Sequence, residues 1–289
     1  MPTDPPTVLT VGSLHYDIMV EADHLPRRDE TAVGSRWYPK FGGKGGNQAV
    51  SAARAGAGSR MVGAVGDDAF GSFLRDHLRR GQVNDRFVVT VPAIGSGISV
   101  AIQDQSGDYA ATIVSGANLH ILPDTLSDPA IWDGVAILIL QNEVPEAINI
   151  AAATQARQRG IRTLLNAAPF RALSPGLRPL IDILVVNAVE AEMMGTQPIR
   201  CLSSACDAAQ QLADQFETVI VTAGSAGLAA WGANDVAFKL PAEKVQVVSS
   251  HGAGDAFIGA LAAALAAGQD LATACGAASA AAARHVSGR

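Results

Sequence analysis

Four residues near the C-terminal end combine groups that could transfer a phosphoryl group to a hydroxyl. Gly252-Ala253-Gly254-Asp255 opens a long Ala-rich run with the composition of a helix. The first backbone amides of a helix lack partners within the helix and can bind an anion. Asp255 lies in the same turn, where its carboxylate could accept the proton of an attacking hydroxyl. The same residues are also compatible with a simple tight turn that begins a helix.

The local sequence leads to three structural expectations for this turn. The apolar residues 245–248 predict a strand that runs into it, and both glycines are expected to allow a positive φ. The positive end of the helix is expected to keep Asp255 ionised. Asp255 would then be a weak base that accepts its proton late in the reaction.

A second glycine-rich stretch, Gly42-Gly43-Lys44-Gly45-Gly46-Asn47, lies near the N-terminus. It is not a Walker A loop, because the spaced first glycine and the Ser or Thr after the lysine are missing. A backbone with so few side chains could closely approach a polyhydroxylated ligand, with Lys44 and Asn47 as donors. The alternative interpretation is a solvated turn. We expect a helix of small residues to follow over 48–57.

Three further polar residues could act beside these stretches. Asp17 could accept hydrogen bonds from two sugar hydroxyls, or it could cap a loop. Glu143 could lie beside a metal or a phosphate, or it could be the acidic first turn of a helix that starts at Pro145. The six histidines show no metal-ligand spacing, and only His15 attracts interest because it is close to Asp17.

Alternating strands and helices must position these residues. Continuous apolar runs predict buried parallel strands covered by helices on both faces, and ligands bind at the carboxyl ends of such strands. Polar clusters follow several of these ends, at residues 13–17, 141–143, 166, 187 and 223–225. The runs at 17–20 and 31–38 and the hairpin at 98–103 and 109–114 predict a small separate sheet. We therefore expect a single domain over 1–289 with a lid built from about 17–40 and 98–114.

Composition excludes several classes of function. The 289 residues carry a formal net charge of −6, which argues against binding to nucleic acids or anionic membranes. We find neither a signal peptide nor a transmembrane run. Cys201, Cys206 and Cys275 have neither zinc-site spacing nor an even number, which indicates reduced thiols and a cytoplasmic location.

The order and spacing of seven landmarks resemble the ribokinase-like (PfkB) carbohydrate kinases over nearly the whole chain. No single landmark is specific for this family, but the whole set in this order is. They are Gly12-Ser13 with Asp17, Gly42 to Ala49, Leu140-Gln141-Asn142-Glu143, Leu165 to Pro169, Asn187 with Glu190-Ala191-Glu192, Thr222 to Gly227, and Gly252 to Asp255.

The resemblance implies a three-layer α/β fold with a mostly parallel central sheet and a small β-sheet lid. It also implies an enzyme that transfers the γ-phosphate of ATP, with Mg²⁺, to the primary hydroxyl of a pentose such as ribose. Asp255 would be the base, and Gly252, Ala253 and Gly254 the anion hole. The implied substrate ligands are Asp17, His15, Gly43, Lys44, Asn47 and Glu143. Asn187, Thr222, Gly224, Ser225 and Gly227 would bind the nucleotide, Glu190 would face the metal, and the lid could form a homodimer.

Departures from the family pattern leave alternatives open. Ser249-Ser250 stands where an Asp-Thr pair helps to bind a monovalent cation, and the chain ends at Arg289 before a further cation loop, so potassium activation stays an open question. His15-Tyr16 replaces an Asn-containing sugar loop. The acceptor could be another sugar or a nucleoside such as pseudouridine, and a non-catalytic sensor is a further alternative. An already phosphorylated sugar would need basic residues that the sequence alone does not place there.

Overall fold

A nine-stranded sheet forms the centre of the protein in a computed structural model that describes residues 5–106, 109–232 and 236–288. Its strands are β1 (Thr7–Val11), β4 (Gly58–Gly66), β5 (Val83–Val91), β8 (Val135–Gln141), β9 (Arg162–Asn166), β10 (Ile183–Asn187), β11 (Thr218–Thr222), β12 (Gly227–Gly232) and β13 (Val236–Pro241). The order is β13-β12-β11-β10-β9-β8-β1-β4-β5. Only the β11–β12 and β12–β13 pairs are antiparallel among these described strands, so the predicted mostly parallel sheet is confirmed.

Seven α-helices accompany the sheet in the described ranges. They are α1 (Lys44–Arg54), α2 (Ala69–Arg80), α3 (Glu146–Gln158), α4 (Ala188–Met193), α5 (Leu202–Ala213), α6 (Ala253–Ala266) and α7 (Leu271–Val286). The apolar strand residues alternate between two helical layers. Leu138 and Leu140 pack in the cluster that includes α3 and α5. Ile137 and Ile139 pack in the cluster that includes α6 and α7, which confirms the three-layer fold.

A four-stranded sheet stands apart from the central one. It consists of β2 (His15–Ala22), β3 (Gly34–Gly42), β6 (Ile98–Gln103) and β7 (Tyr109–Val114), in the order β3-β2-β6-β7. The β6–β7 hairpin has the predicted bounds, and its turn residues Gly107 and Asp108 lie outside the described residues. That this sheet opens and closes as a lid, and that 1–289 acts as one domain, stay predictions.

The structure corrects two boundaries near the glycine-rich stretches. The strand predicted over 245–248 is wrong, because these residues run without strand structure between β13 and α6. Val247 and Val248 are 60% and 74% exposed, and the N–H of Val248 donates to the carbonyl of Val286 rather than to a neighbouring strand. In addition, α1 begins at Lys44 rather than at Gln48, so Lys44 and Asn47 belong to a helix and not to a loop.

No described helix combines the length and hydropathy needed to span a bilayer. The three cysteines are free thiols. Cys275 is buried under the central sheet in α7, and burial raises the pKa of its thiol to about 12. A thiol that stays protonated and enclosed is unreactive, so Cys275 serves as a small apolar residue of the core.

Candidate active site

The first turns of α1 and α6 meet beside the carboxyl ends of the central strands. Their close approach depends on Gly259, because a Cβ atom there would lie 2.5 Å from the carbonyl oxygen of Gln48 and 2.6 Å from the amide nitrogen of Ala52. These distances are shorter than any van der Waals contact. The glycine therefore lets the two backbones touch and brings Asp255 against the start of α1.

Asp255 is held by two side-chain amides of α1. Asn47 donates to Oδ2 over 3.2 Å, and Gln48 donates to Oδ1 over 2.9 Å. The same Gln48 amide also donates to Oδ1 of Asn166, at the end of β9, over 3.1 Å. These hydrogen bonds fix the orientation of both carboxylate oxygens. The Asp255 side chain is also largely buried, with 8% of its surface exposed.

Burial raises the pKa of the Asp255 carboxyl, and this effect outweighs Lys44 and the two amide hydrogen bonds, which lower it. The sequence alone predicted the opposite tendency, since it considered only the positive helix terminus. Desolvation disfavours the charged form of a carboxyl group. Asp255 is therefore a stronger base than we expected, with a pKa closer to that at which proton transfer is efficient.

This environment leads to an expected pH dependence. If ionised Asp255 accepts the proton, kcat/KM falls as the pH drops through its pKa, and burial places that acid limb above 3.8, the ordinary value of an aspartic acid. A pH profile of kcat/KM measures it. An acid limb at or below 3.8 would contradict the assignment.

The variant Gln48→Leu shows whether Asp255 or another carboxyl group causes the acid limb of the pH profile. Asp17 also has a raised pKa, but Gln48 donates to Asp255. Removing that hydrogen bond destabilises the ionised form of Asp255, so the acid limb should move to higher pH. An unchanged limb in Gln48→Leu, with kcat reduced, would indicate that another group controls it.

The anion hole predicted at residues 252–254 has one left-handed residue rather than two. Gly252 precedes α6 with a φ of 84°, whereas Gly254 lies within the helix and has no positive φ. A Cβ atom on Gly254 would meet nothing within 4 Å, so a ligand could approach the backbone there. Behind Gly252, Nε2 of His285 donates to the carbonyl of His251 over 2.9 Å and supports the turn.

Asp17 faces the same region from the small sheet. It lies in β2, directly opposite Lys40 in β3, and is 7% exposed. Ser99 in β6 donates its hydroxyl to Oδ1 over 2.6 Å. Burial raises the pKa of Asp17, and the Ser99 hydrogen bond and the charges of His15, His251 and Lys40 oppose that rise. Asp17 is therefore an oriented acceptor on the inner side of the sheet.

Glu143 binds the start of α1. Its Oε2 accepts from the hydroxyl of Ser13 over 2.5 Å and from the backbone N–H of Lys44 over 2.8 Å. Nδ1 of His15 lies 3.9 Å from the same oxygen. His15 is only 3% exposed, so the structure leaves it little surface for a ligand. Glu143 therefore holds the glycine-rich turn in position.

Gly43 permits this turn through its backbone. It adopts a φ of 88°, and a Cβ atom would lie 2.7 Å from the amide nitrogen of His15. Any other residue would therefore strain the turn and collide with the chain between β1 and β2. The glycine fixes the position of Lys44 and Asn47 at the start of α1.

The predicted nucleotide residues lie at the ends of β10 and β11. Asn187 and Glu190 form a reciprocal cap of α4: Asn187 accepts from the Glu190 N–H over 2.8 Å, and Glu190 accepts from the Asn187 N–H over 2.9 Å. Thr222 ends β11, and Gly224 and Gly227 adopt φ angles of 54° and 115° in the following turn with Ser225. Burial raises the pKa of Glu190, and the charge of Lys44 opposes it. The charge of Lys44 thus acts on both Asp255 and Glu190.

Glu190 is compatible with a magnesium ion that phosphates also bind. The described residues contain no group of three metal-binding side chains. Magnesium commonly keeps several waters and takes one or two carboxylates together with substrate phosphates. A single buried carboxylate fits that mode, and one Glu190 oxygen is already engaged by the backbone of Asn187.

Sequence reasoning missed three residues that orient the predicted ones. Gln48 and Asn166 hold Asp255 in a chain of hydrogen bonds, Ser99 holds Asp17, and none of the three was assigned a role. Gln48 and Asn166 do belong to the landmark stretches. Ser99 lies in the middle of an ordinary strand, and only the pairing of β2 with β6 reveals its position.

Comparison with known proteins relates this arrangement to one family. Residues 6–288 match the family described as pfkB family carbohydrate kinase. Mouse ribokinase is 34% identical over 259 residues, which cover 88% of this chain and 80% of the mouse protein. Deoxyribokinase of Salmonella typhi is 32% identical over 259 residues, covering 88% and 84% of the two chains. The structure of Arabidopsis thaliana ribokinase complexed with ribose and ATP has a TM-score of 0.90 and 29% identity, and covers 98% of this chain and 93% of the plant chain.

Proposed function

Because the chain belongs to the pfkB family of carbohydrate kinases, we propose that it transfers the γ-phosphate of ATP to the primary hydroxyl of a pentose such as ribose. Membership makes the protein a phosphotransferase that acts on an alcohol group. The observation that carries the finer proposal is the position of Asp255, which two amides orient beside the open first turn of α6.

Asp255 acts on the acceptor in this proposal. Its carboxylate accepts the proton of the hydroxyl as the bond between oxygen and phosphorus forms. Asn47 and Gln48 keep the two oxygens aimed while this happens. The amides after Gly252 receive the equatorial oxygens of the phosphoryl group, whose negative charge a helix terminus stabilises.

Lys44 and Glu190 act on the phosphate side. Lys44 influences the pKa of both Asp255 and Glu190, so its charge can neutralise a phosphate between them. Glu190 would hold Mg²⁺, which supplies neutralisation of the charge on the terminal phosphates. Asn187, Thr222 and the turn from Gly224 to Gly227 would bind the rest of the nucleotide.

Asp17, Gly43, Lys44 and Asn47 are the proposed ligands of the sugar. The inward orientation of Asp17 and the close backbone approach at Gly43 support these roles. We keep His15 and Glu143 as substrate-side residues, with Glu143 acting mainly through the start of α1. The likeness to a ribokinase structure that contains ribose and ATP supports a pentose and ATP as the ligands.

Two alternative acceptors belong to the same reaction. The likeness to a deoxyribokinase supports a pentose that lacks one hydroxyl. A nucleoside is the second alternative acceptor.

Turnover of a panel of acceptors tests the proposal. ADP release with Mg-ATP would be measured for ribose, deoxyribose, other pentoses, hexoses and nucleosides, each with and without potassium. We expect a pentose to have the highest kcat/KM. If a nucleoside has the highest kcat/KM, the acceptor is a nucleoside rather than a pentose. No turnover on the whole panel, with intact ATP binding, would contradict the proposed pentose kinase.

A homodimer through the small sheet also belongs to the proposal, together with a cytoplasmic location. Trp37 in β3 and Ile113 and Val114 in β7 expose more than half of their surface. These side chains lie on the two edge strands of the sheet, where a partner chain could cover them. Sedimentation of the wild type and of Trp37→Ser would measure the association.

A further inference from the structure

The hydroxyl of Ser99 is directed at the inner face of the small sheet. The strands β2 and β6 run side by side in a register that places Ser99 beside Asp17. The hydroxyl donates to Oδ1 of Asp17 over 2.6 Å. Among the residues that the structure describes, no other group donates a hydrogen bond to this carboxylate. The proposed sugar ligand Asp17 therefore has a partner on one oxygen before any sugar binds.

The second oxygen of Asp17 lies over the backbone of Gly42 in β3. A Cβ atom at Gly42 would collide with both Oδ2 and Cγ of Asp17, so the missing side chain gives the carboxylate its room. Gly42 is followed directly by Gly43, where the chain turns into α1. The two oxygens therefore differ in their surroundings: Oδ2 adjoins the glycine-rich turn with the other proposed sugar ligands, and Oδ1 is bound by Ser99.

The electrostatics of Asp17 show how much this hydroxyl matters. Burial raises the pKa of the carboxyl group, and the hydrogen bond from Ser99 is the largest of the effects that oppose the rise. The charges of His15, His251 and Lys40 contribute less. The ionised form of Asp17 thus depends on a neutral neighbour in the adjacent strand more than on any nearby cation.

This pairing changes what the protein loses when a sugar lacks a hydroxyl. A site that bonds a substrate hydroxyl rejects the analogue without it, because a buried polar group is left unpaired. Asp17 is only 7% exposed, so water can replace a missing donor only poorly. Ser99, however, keeps Oδ1 paired with or without a sugar. A sugar that offers no hydroxyl to Oδ1 therefore leaves no unpaired charge behind.

We propose that Ser99 is a specificity-determining residue, whose hydroxyl takes the place of one sugar hydroxyl on Asp17. The acceptor site then takes deoxypentoses nearly as well as pentoses. This inference rests on the proposed pentose kinase and extends its acceptor class to sugars that lack the hydroxyl at C2 or at C3. Ser99 has no part in the transfer itself, which takes place at Asp255.

The ratio of specificity constants for two kinds of sugar tests this role. We would measure kcat/KM for ribose, 2-deoxyribose and 3-deoxyribose in the wild type and in Ser99→Ala. In the wild type, ribose and one of the deoxyriboses should have values of the same order. In Ser99→Ala, kcat/KM of that deoxyribose should fall at least about tenfold more than that of ribose, because only ribose supplies a donor to the vacated oxygen.

An equal loss for all three sugars would overturn the proposal. Damage to the sheet or a misplaced Asp17 would lower every value by a similar factor, whereas a missing donor on Oδ1 penalises only the sugar without the matching hydroxyl. The identity of the affected deoxyribose shows whether the hydroxyl at C2 or at C3 is the one that Ser99 replaces.

Two further variants serve as controls. Ser99→Thr keeps the hydroxyl on a β-branched residue that suits a strand, and it should retain the wild-type ratio. Thr112 in β7 is exposed and pairs with Val100 rather than with Ser99, so it faces the other side of the sheet. Thr112→Ala removes a hydroxyl there and should leave all ratios unchanged. A ratio in Ser99→Thr equal to that in Ser99→Ala would contradict the role of the hydroxyl.

Calorimetric binding of the three sugars without ATP separates this inference from the proposed function. If Ser99→Ala changes the preference among sugars that bind but do not react, the role of Ser99 holds and the kinase reaction is refuted. If the sugars react and Ser99→Ala leaves their ratios unchanged, the kinase stands and the role of Ser99 is refuted. A protein that neither binds nor phosphorylates any of the three sugars refutes both.

Discussion

Replacing Asp255 by Asn should lower kcat by at least about a hundredfold, the usual contribution of a positioned general base. The amide of Asn cannot accept the hydroxyl proton. It would also direct an NH₂ group at the NH₂ of either Asn47 or Gln48, which now donate to the carboxylate. The reaction would then lose its base and part of the orientation of the acceptor.

The fold should tolerate this substitution. Asp255 is buried at a cost in desolvation, as its raised pKa shows, and an uncharged side chain of the same size avoids that cost. The thermal unfolding midpoint and the affinity for ATP measure this. Asp67→Asn, an exposed aspartate outside the site, is the matched control. Turnover of Asp255→Asn within a factor of a few of the wild type would exclude Asp255 as the base.

Gly259→Ala should destabilise the protein and lower its activity together. The new Cβ would collide with backbone atoms of Gln48 and Ala52, and backbone cannot move aside as a flexible side chain can. Overpacking of this kind costs about 1–3 kcal/mol. Because the displaced α1 carries Asn47 and Gln48, kcat should fall together with the free energy of unfolding.

Gly276→Ala provides the matched control in α7. A Cβ atom at Gly276 would meet nothing within 4 Å, and alanine is favoured over glycine in a helix by about 1 kcal/mol. This variant should therefore be slightly more stable than the wild type and fully active. Urea unfolding of both variants gives the comparison. Equal stabilisation by both would contradict the close contact of α1 with α6.

The buried strands were predictable because they consist of uninterrupted runs of apolar residues. Ile137 to Leu140 are all fully buried in β8, and such a run fits only a strand covered on both faces. The strand β5, at the edge of the sheet, begins Val83-Asn84-Asp85-Arg86. This polar beginning does not resemble a buried strand, so β5 was not predicted. The valines at 247 and 248 led to the opposite error, a predicted strand that is absent. β-Branched residues favour strands, but here no neighbouring strand pairs with them.

The sequence predicted which residues form the candidate site better than it predicted their electrostatic environment. Motifs around Lys44 and Asp255 indicated which residues meet, yet they could not show that Gln48 holds Asp255 or that Glu143 binds the start of α1. The direction of the Asp255 pKa depends on burial, which arises from packing between elements about 200 positions apart. The local sequence around Asp255 does not indicate that packing.

The position of α6 and α7 at the end of the chain has a consequence during synthesis on the ribosome. All thirteen described strands lie within residues 7–241, so the sheets can assemble before these two helices emerge. Until then the face with Ile137, Ile139 and Ile220 lacks the two helices that cover most of it in the finished protein. A chain interrupted near residue 245 would present that surface to chaperones or to other chains. We expect such fragments to aggregate.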